Sequence, residues 1–187
     1  MQTGNDTLID ELLTMTEEAI DKAKKLKQLS ERELNFKESP DRWSILECLE
    51  HLNRYGDFYL PEIERSILQS RSKEIPPFKS GVIGNWFANL MKAKNGKIVK
   101  MKTPVDKNPT GSRLTSLTID RFLKQEEMLR NLLNQARLVD LTNTKVPISL
   151  TKFIRLRLGD TLRFFIYHIE RHIIQAENVK LKIDGLK

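Results

Sequence analysis

Cysteine is nearly absent from this 187-residue chain: Cys48 stands alone, so no internal disulfide can form. A lone thiol agrees with a reducing compartment, and cytoplasm is the expected location. Long apolar runs are missing too, since no stretch approaches the ~18 uninterrupted apolar residues of a membrane span. The opening Met-Gln-Thr-Gly-Asn-Asp has neither the basic start nor the apolar run of a secretory signal. Aromatic residues make up 7% and charged residues 30%, with eight glycines and seven prolines, a composition unlike that of fibrous or disordered chains. One soluble, mostly helical domain over 1–187 is expected. Histidine occurs three times, as His51, His168 and His172.

Charge is abundant but unevenly placed. Between Arg71 and Lys107 nine basic residues face only Glu74 and Asp106, which accounts for the whole net charge of +7. Such a cluster could touch nucleic acid or another anionic surface. The stretch contains a single arginine and follows no recognition-helix pattern, so a solvated lysine-rich connection is the expectation and nucleic acid is not favoured.

Apolar residues recur at three- and four-residue steps in four regions. Leu8, Ile9, Leu12, Leu13, Ile20, Ala23 and Leu26 predict a helix over about 6–34, stopped by Pro40. Ser44 and Glu47 form a capping box for a second helix over about 44–70, with Pro61 expected to kink or break it near Leu60. Prolines and glycines punctuate 72–111, the long crossover, in which a short helix over about 85–93 (Trp86, Phe87, Leu90, Met91) is expected as a flap. A third helix is predicted over about 112–137, and a link containing Pro147 follows. The fourth helical region is placed after Ser149 and up to about 181, with Gly159-Asp160 dividing a short lead-in turn from the main helix and Asp160 as its cap. No useful β-alternation competes, so the predicted fold is all-α: a four-helix bundle with a long crossover between helices 2 and 3.

His168 and His172 lie one turn apart on the last helix, and His51 lies beside the apolar stripe of the second. Three imidazoles on two helices that meet could hold a divalent ion and leave a coordination position open. Ordinary partly buried histidines explain the same spacing, and the residues alone leave both readings open.

The block Asp41-Arg-Trp-Ser-Ile-Leu-Glu-Cys-Leu-Glu-His51-Leu52 resembles the "W-S…E…HL" opening of the DinB-like (DinB/YfiT-like) superfamily. Tyr167-His168-Ile-Glu-Arg-His172-Ile-Ile-Gln175 is similar to that family's closing "H-x-x-x-H-x-x-Q" helix, and Lys100-Met-Lys-Thr-Pro104 resembles its crossover. The resemblance implies a four-helix bundle, often homodimeric, with Ni²⁺ or Zn²⁺ on His51, His168 and His172. It also implies a small-molecule substrate and S-transferase, isomerase or related hydrolase chemistry with a low-molecular-weight thiol as cosubstrate. The crossover with Trp86 and Phe87 departs from the pattern and leaves the substrate unassigned.

In such a site the ion would acidify a bound thiol or water. Glu47, one turn before His51, could orient it or accept a proton, although the capping box also claims it. Tyr55 and Tyr167 are the candidate hydroxyl donors, and Cys48 is a conceivable fourth ligand or a small core residue. The competing expectation is a non-catalytic helical bundle whose basic crossover binds a partner or nucleic acid through residues such as Lys92, Lys94 and Lys97.

Overall fold

The computed structural model describes residues 2–71, 74–92 and 102–186, and among these the chain is mostly helical. Helix α1 (Asn5–Leu26) buries Leu8, Ile9, Leu12, Ile20, Ala23 and Leu26 and ends there, eight residues before the predicted stop. A separate short helix, α2 (Glu31–Leu34), starts at Ser30, whose hydroxyl accepts from the Glu33 N–H while the Glu33 carboxylate takes the Ser30 N–H at 2.8 Å. A second Ser-x-x-Glu box thus begins a new helix where continuous periodicity suggested one.

Helix α3 (Ile45–Leu68) begins at the predicted cap. Ser44 Oγ accepts from Glu47 N at 3.1 Å, and Ser44 N donates to the Glu47 carboxylate at 2.9 Å. Of the kink or break expected near Leu60, the break does not occur, and α3 runs continuously through Pro61. An internal proline costs about 3 kcal/mol, whereas each large side chain buried beside it contributes about 1.5–3 kcal/mol. Tyr59, Leu60 and Ile63 are all buried, so packing outweighs the lost hydrogen bond.

The crossover contains more order than its punctuation suggested. Strand β1 (Gln2–Thr3) pairs antiparallel with β2 (Phe78–Lys79), and helix α4 (Val82–Met91) follows, starting three residues before the predicted flap. A 3-10 turn at Val105–Lys107 leads toward helix α5 (Leu117–Ala136). Lys73, Lys94, Lys97 and Lys100 lie outside the described residues.

A correction concerns 145–157. Strands β3 (Lys145–Ile148) and β4 (Thr151–Arg157) form an antiparallel hairpin where a link and a helical lead-in were expected. Val146, Ile148 and Leu156 are buried, so the segment gains more by packing a pleated face than by continuing as helix. Helix α6 (Leu158–Asp184) therefore begins at Leu158. Asp160 is not its cap but sits in its first turn, where its carboxylate accepts the Ser80 hydroxyl and the Gly81 N–H.

Among the long helices, α1 and α3 each pack against both α5 and α6, and α4 lies on α6. Ile9 and Leu12, Leu49 and Ile63, Phe122 and Leu129, and Leu162 and Phe165 fill the shared core from the four sides. No helix among the described residues is long and apolar enough to cross a membrane. The contact of α3 with α6 sets the site, because each carries histidine on the face turned to the other.

Candidate metal centre

His51 lies two turns into α3, where the Ser44–Glu47 box fixes the helix start and so its rotation. His168 and His172 occupy successive turns of α6. The three rings converge, with centroids 5.0 Å apart for His51 and His168, 4.5 Å for His51 and His172, and 4.7 Å for His168 and His172. One nitrogen from each ring lies within 4.8 Å of the others, and the residues are only 3%, 5% and 8% exposed.

Hydrogen bonds determine which lone pairs remain. A carbonyl can only accept, so the 2.8 Å contact with Lys107 O makes His51 Nδ1 the protonated nitrogen and leaves Nε2 bare, 3.2 Å from His168 Nε2. His172 Nδ1 lies 3.0 Å from Gln175 Oε1, which holds that ring in the same manner. An outer partner on the far nitrogen is how metal-bound imidazoles are usually oriented. His168 Nδ1 is buried with no hydrogen-bond partner among the described residues.

The protonation chemistry agrees with this geometry. Burial, aided by Arg54 and the Lys107 ammonium, lowers the His51 pKa to about 4. Burial and then neighbouring positive charge take His168 and His172 well below the usual imidazole range. All three rings are neutral near pH 7, so their lone pairs need no deprotonation before binding an ion. With one orphaned ring nitrogen, two outer-held rings and, among the described residues, no carboxylate in the cluster, the histidines fit a divalent cation of borderline softness.

The other candidates separate by position. Tyr55 stands edge-on to His51 and His168 at 5.0 and 4.6 Å, and burial pushes its hydroxyl up to about 12, so it keeps its proton. Tyr167 faces another way, its hydroxyl donating to Glu11 and its ring lying under Lys92 Nζ at 5.2 Å. Glu47 is committed to its cap and to an ion pair with Lys37 at 3.0 Å. Cys48 is fully buried in the core and outside the histidine cluster, and burial raises its thiol pKa.

Above the imidazoles opens a cavity of about 960 Å³, bounded by α3, α4, α6 and the β3–β4 hairpin. Phe87, Leu90 and Met91 of α4 form one wall, as the predicted flap required, while Trp86 turns outward and is 59% exposed. Trp43 closes over the histidines, 4.8 Å from His51 and 5.7 Å from His172, with Nε1 donating to Thr110 Oγ1. Sequence reading missed the Lys107 carbonyl, since every residue has one. It also passed over Arg171, which lines the cavity from between two histidines.

No curated protein and no solved structure matches the chain. The family model of the DinB superfamily matches residues 12–176, a span that includes all three histidines, the cap that orients α3 and most of α6. On that match the chain belongs to the DinB superfamily.

Proposed function

We propose that this is a metal-dependent enzyme, a single four-helix-bundle domain in which His51, His168 and His172 hold Ni²⁺ or Zn²⁺. Its reaction is S-transfer or a related hydrolysis with a low-molecular-weight thiol as cosubstrate. A cytoplasmic homodimer completes the proposal. The observation that carries the reading is the convergence of three neutral, buried imidazoles on the floor of a cavity large enough for a small molecule. A bound divalent ion supplies Lewis acidity that lowers the pKa of a coordinated thiol or water.

The chain supplies the rest. Lys107 O fixes the tautomer of His51, and Gln175 fixes the ring of His172. Trp43, Tyr55 and Phe164 pack their rings against the histidines, and this apolar surround strengthens charge interactions there. Tyr55, whose ring packs edge-on to His51 and His168 and which stays protonated at neutral pH, would serve as the hydrogen-bond donor to an anionic ligand there. A non-catalytic bundle acting through its basic crossover could use the histidines to hold a stabilising ion but would leave the cavity above them without a role.

Elemental analysis of the purified protein should find about one nickel or zinc per chain. His168→Ala should weaken that affinity by about a hundredfold or more, roughly 2.7 kcal/mol. Wild-type protein should also consume a small thiol in the presence of a general electrophile, and His168→Ala should not. Failure to bind either metal at micromolar concentration would refute the metal centre, and silence across a panel of thiols would refute the transferase chemistry.

A further inference from the structure

We propose that the cavity selects a substrate with an uncharged aromatic body, which lies against Phe87, Leu90 and Phe164 and brings its reacting group to the histidines. The inference names the substrate class of the enzymatic reading and rests on that reading for the role of the histidines, but the aromatic subsite itself uses none of the metal ligands.

Its basis is the way α3 and α6 face each other across the cavity floor. The helices run antiparallel, and their rings meet in three successive rungs: His51 with His172 at 4.5 Å, Tyr55 with His168 at 4.6 Å, and Tyr59 with Phe164 at 5.7 Å between centroids. Each rung is four residues from the next on both helices, or about 6 Å along the axis. Imidazoles therefore give way to benzene rings within one or two turns. Phe87 of α4 stands edge-on to the last rung, 6.1 Å from Phe164. A body resting there is one helical turn from His168.

The walls at this end decide what it accepts. Among the described residues, α4 and the β3–β4 hairpin contribute no charged side chain to the lining. The one hydroxyl they bring, that of Ser149, already lies 3.4 Å from Tyr59 Oη, which also accepts the Ser149 N–H at 3.3 Å. A charged or strongly polar body would lose its water here without gaining partners, whereas an apolar one gains by burial. Phe87 and Leu90 line the cavity yet are only partly buried, so apolar surface is left for a ligand to cover. Rings already set at steep angles offer both edges and faces to a further ring, the arrangement in which aromatic groups attract beyond their burial. About 150 Å³ of apolar space holds a benzene-sized molecule, so a cavity of about 960 Å³ has room for a larger aromatic and a second reactant. Past His172, α6 contributes Gln175, Asn178 and Lys182, and that polar end is left for the thiol.

Calorimetric titration of the protein as purified tests the subsite with two probes of one outline, naphthalen-2-ylmethanol and quinoxalin-6-ylmethanol. The second carries two ring nitrogens that would have to shed water, so the naphthyl compound should bind at least about tenfold more tightly. Phe87→Ala should weaken the naphthyl compound by about fivefold or more, and Asn178→Ala, at the opposite end, should not. Equal affinity for the two probes, a preference for the quinoxaline, or naphthyl binding unchanged in Phe87→Ala would overturn the proposal. If Phe87→Ala does not fold, nuclear Overhauser contacts in wild-type protein decide: naphthyl protons should approach the Ile148 methyls of the hairpin, and contacts to Val179 beyond the histidines instead would refute the assignment. A parallel Ni²⁺ titration separates this inference from the metal centre. Naphthyl preference in protein that takes up no Ni²⁺ leaves the aromatic subsite standing and sinks the metal reading, whereas Ni²⁺ uptake without that preference does the reverse.

Discussion

Asp160→Ala should lower the unfolding free energy by about 3–5 kcal/mol, the range expected when one partner of a buried ion pair is removed. Asp160 is fully buried, and Arg163, 3.5 Å away, is only 5% exposed. The carboxylate accepts the Ser80 hydroxyl and, at 2.8 Å, the N–H of Gly81, the N-cap residue of α4, which has no side chain to cap with. A carboxylate from the first turn of α6 thus sits near the start of two helices, where backbone N–H groups favour negative charge. Gly84 completes the joint, because a Cβ there would lie 2.5 Å from Asp160 Cγ. Alanine at 160 leaves the Arg163 guanidinium with the Ser80 and Asn85 oxygens, at 3.2 and 3.1 Å, and the face of the Tyr167 ring, but, among the described residues, with no paired carboxylate. Since Phe87, Leu90 and Met91 reach the cavity from α4, loosening this joint should also open the cavity wall. Urea denaturation measures the loss, and hydrogen exchange should show α4 amides losing protection before those of α3. A cost below about 1 kcal/mol would mean that α4 is held by its apolar contacts alone.

That joint also shows where sequence reading stops. An aspartate at the start of a periodic stretch is a cap by local rules, and only the arrival of Ser80 and Gly81 from the crossover makes Asp160 a tertiary link. The Ser44–Glu47 box was legible because both partners lie within one turn, and it fixes the rotation of α3 that aims His51. The histidine cluster was legible for a related reason: His168 and His172 share a face by spacing alone, His51 flanks the apolar stripe of a helix that meets theirs, and the motif resemblance favoured a metal site over ordinary buried histidines. The β3–β4 hairpin was not legible. Its stability comes from burying Val146, Ile148 and Leu156 against helices distant in sequence, and no local periodicity reports that. Arg171 was overlooked because a charged residue beside a histidine pair reads as a solvated flank until the cavity shows which side it faces.

Glu126 should make stability fall as pH rises through neutrality, opposite to the usual behaviour of a carboxylate. It lies on the core stripe of α5, fully buried, with Oε2 lacking any hydrogen-bond partner among the described residues. Burial raises its pKa from 4.5 to about 8. Because the folded pKa lies above the unfolded one, the folded state holds a proton that the unfolded state releases between about pH 4.5 and 8. Stability is therefore full below that window and declines through it by about 1.4 kcal/mol per pH unit, up to roughly 5 kcal/mol. The histidines act in the other direction: their folded pKa values are depressed, so their contribution is present above about pH 6.5 and is lost as pH falls toward 4. Wild-type stability minus that of Glu126→Gln removes the histidine contribution common to both. That difference should fall steadily from pH 5 to 8 and level off above about 8. A flat difference would show that Glu126 is ionised in the folded protein and that solvent or a partner reaches it. A steep one would identify Glu126→Gln as a stabilising substitution at pH 8, since glutamine keeps the shape of the side chain without a charge to desolvate.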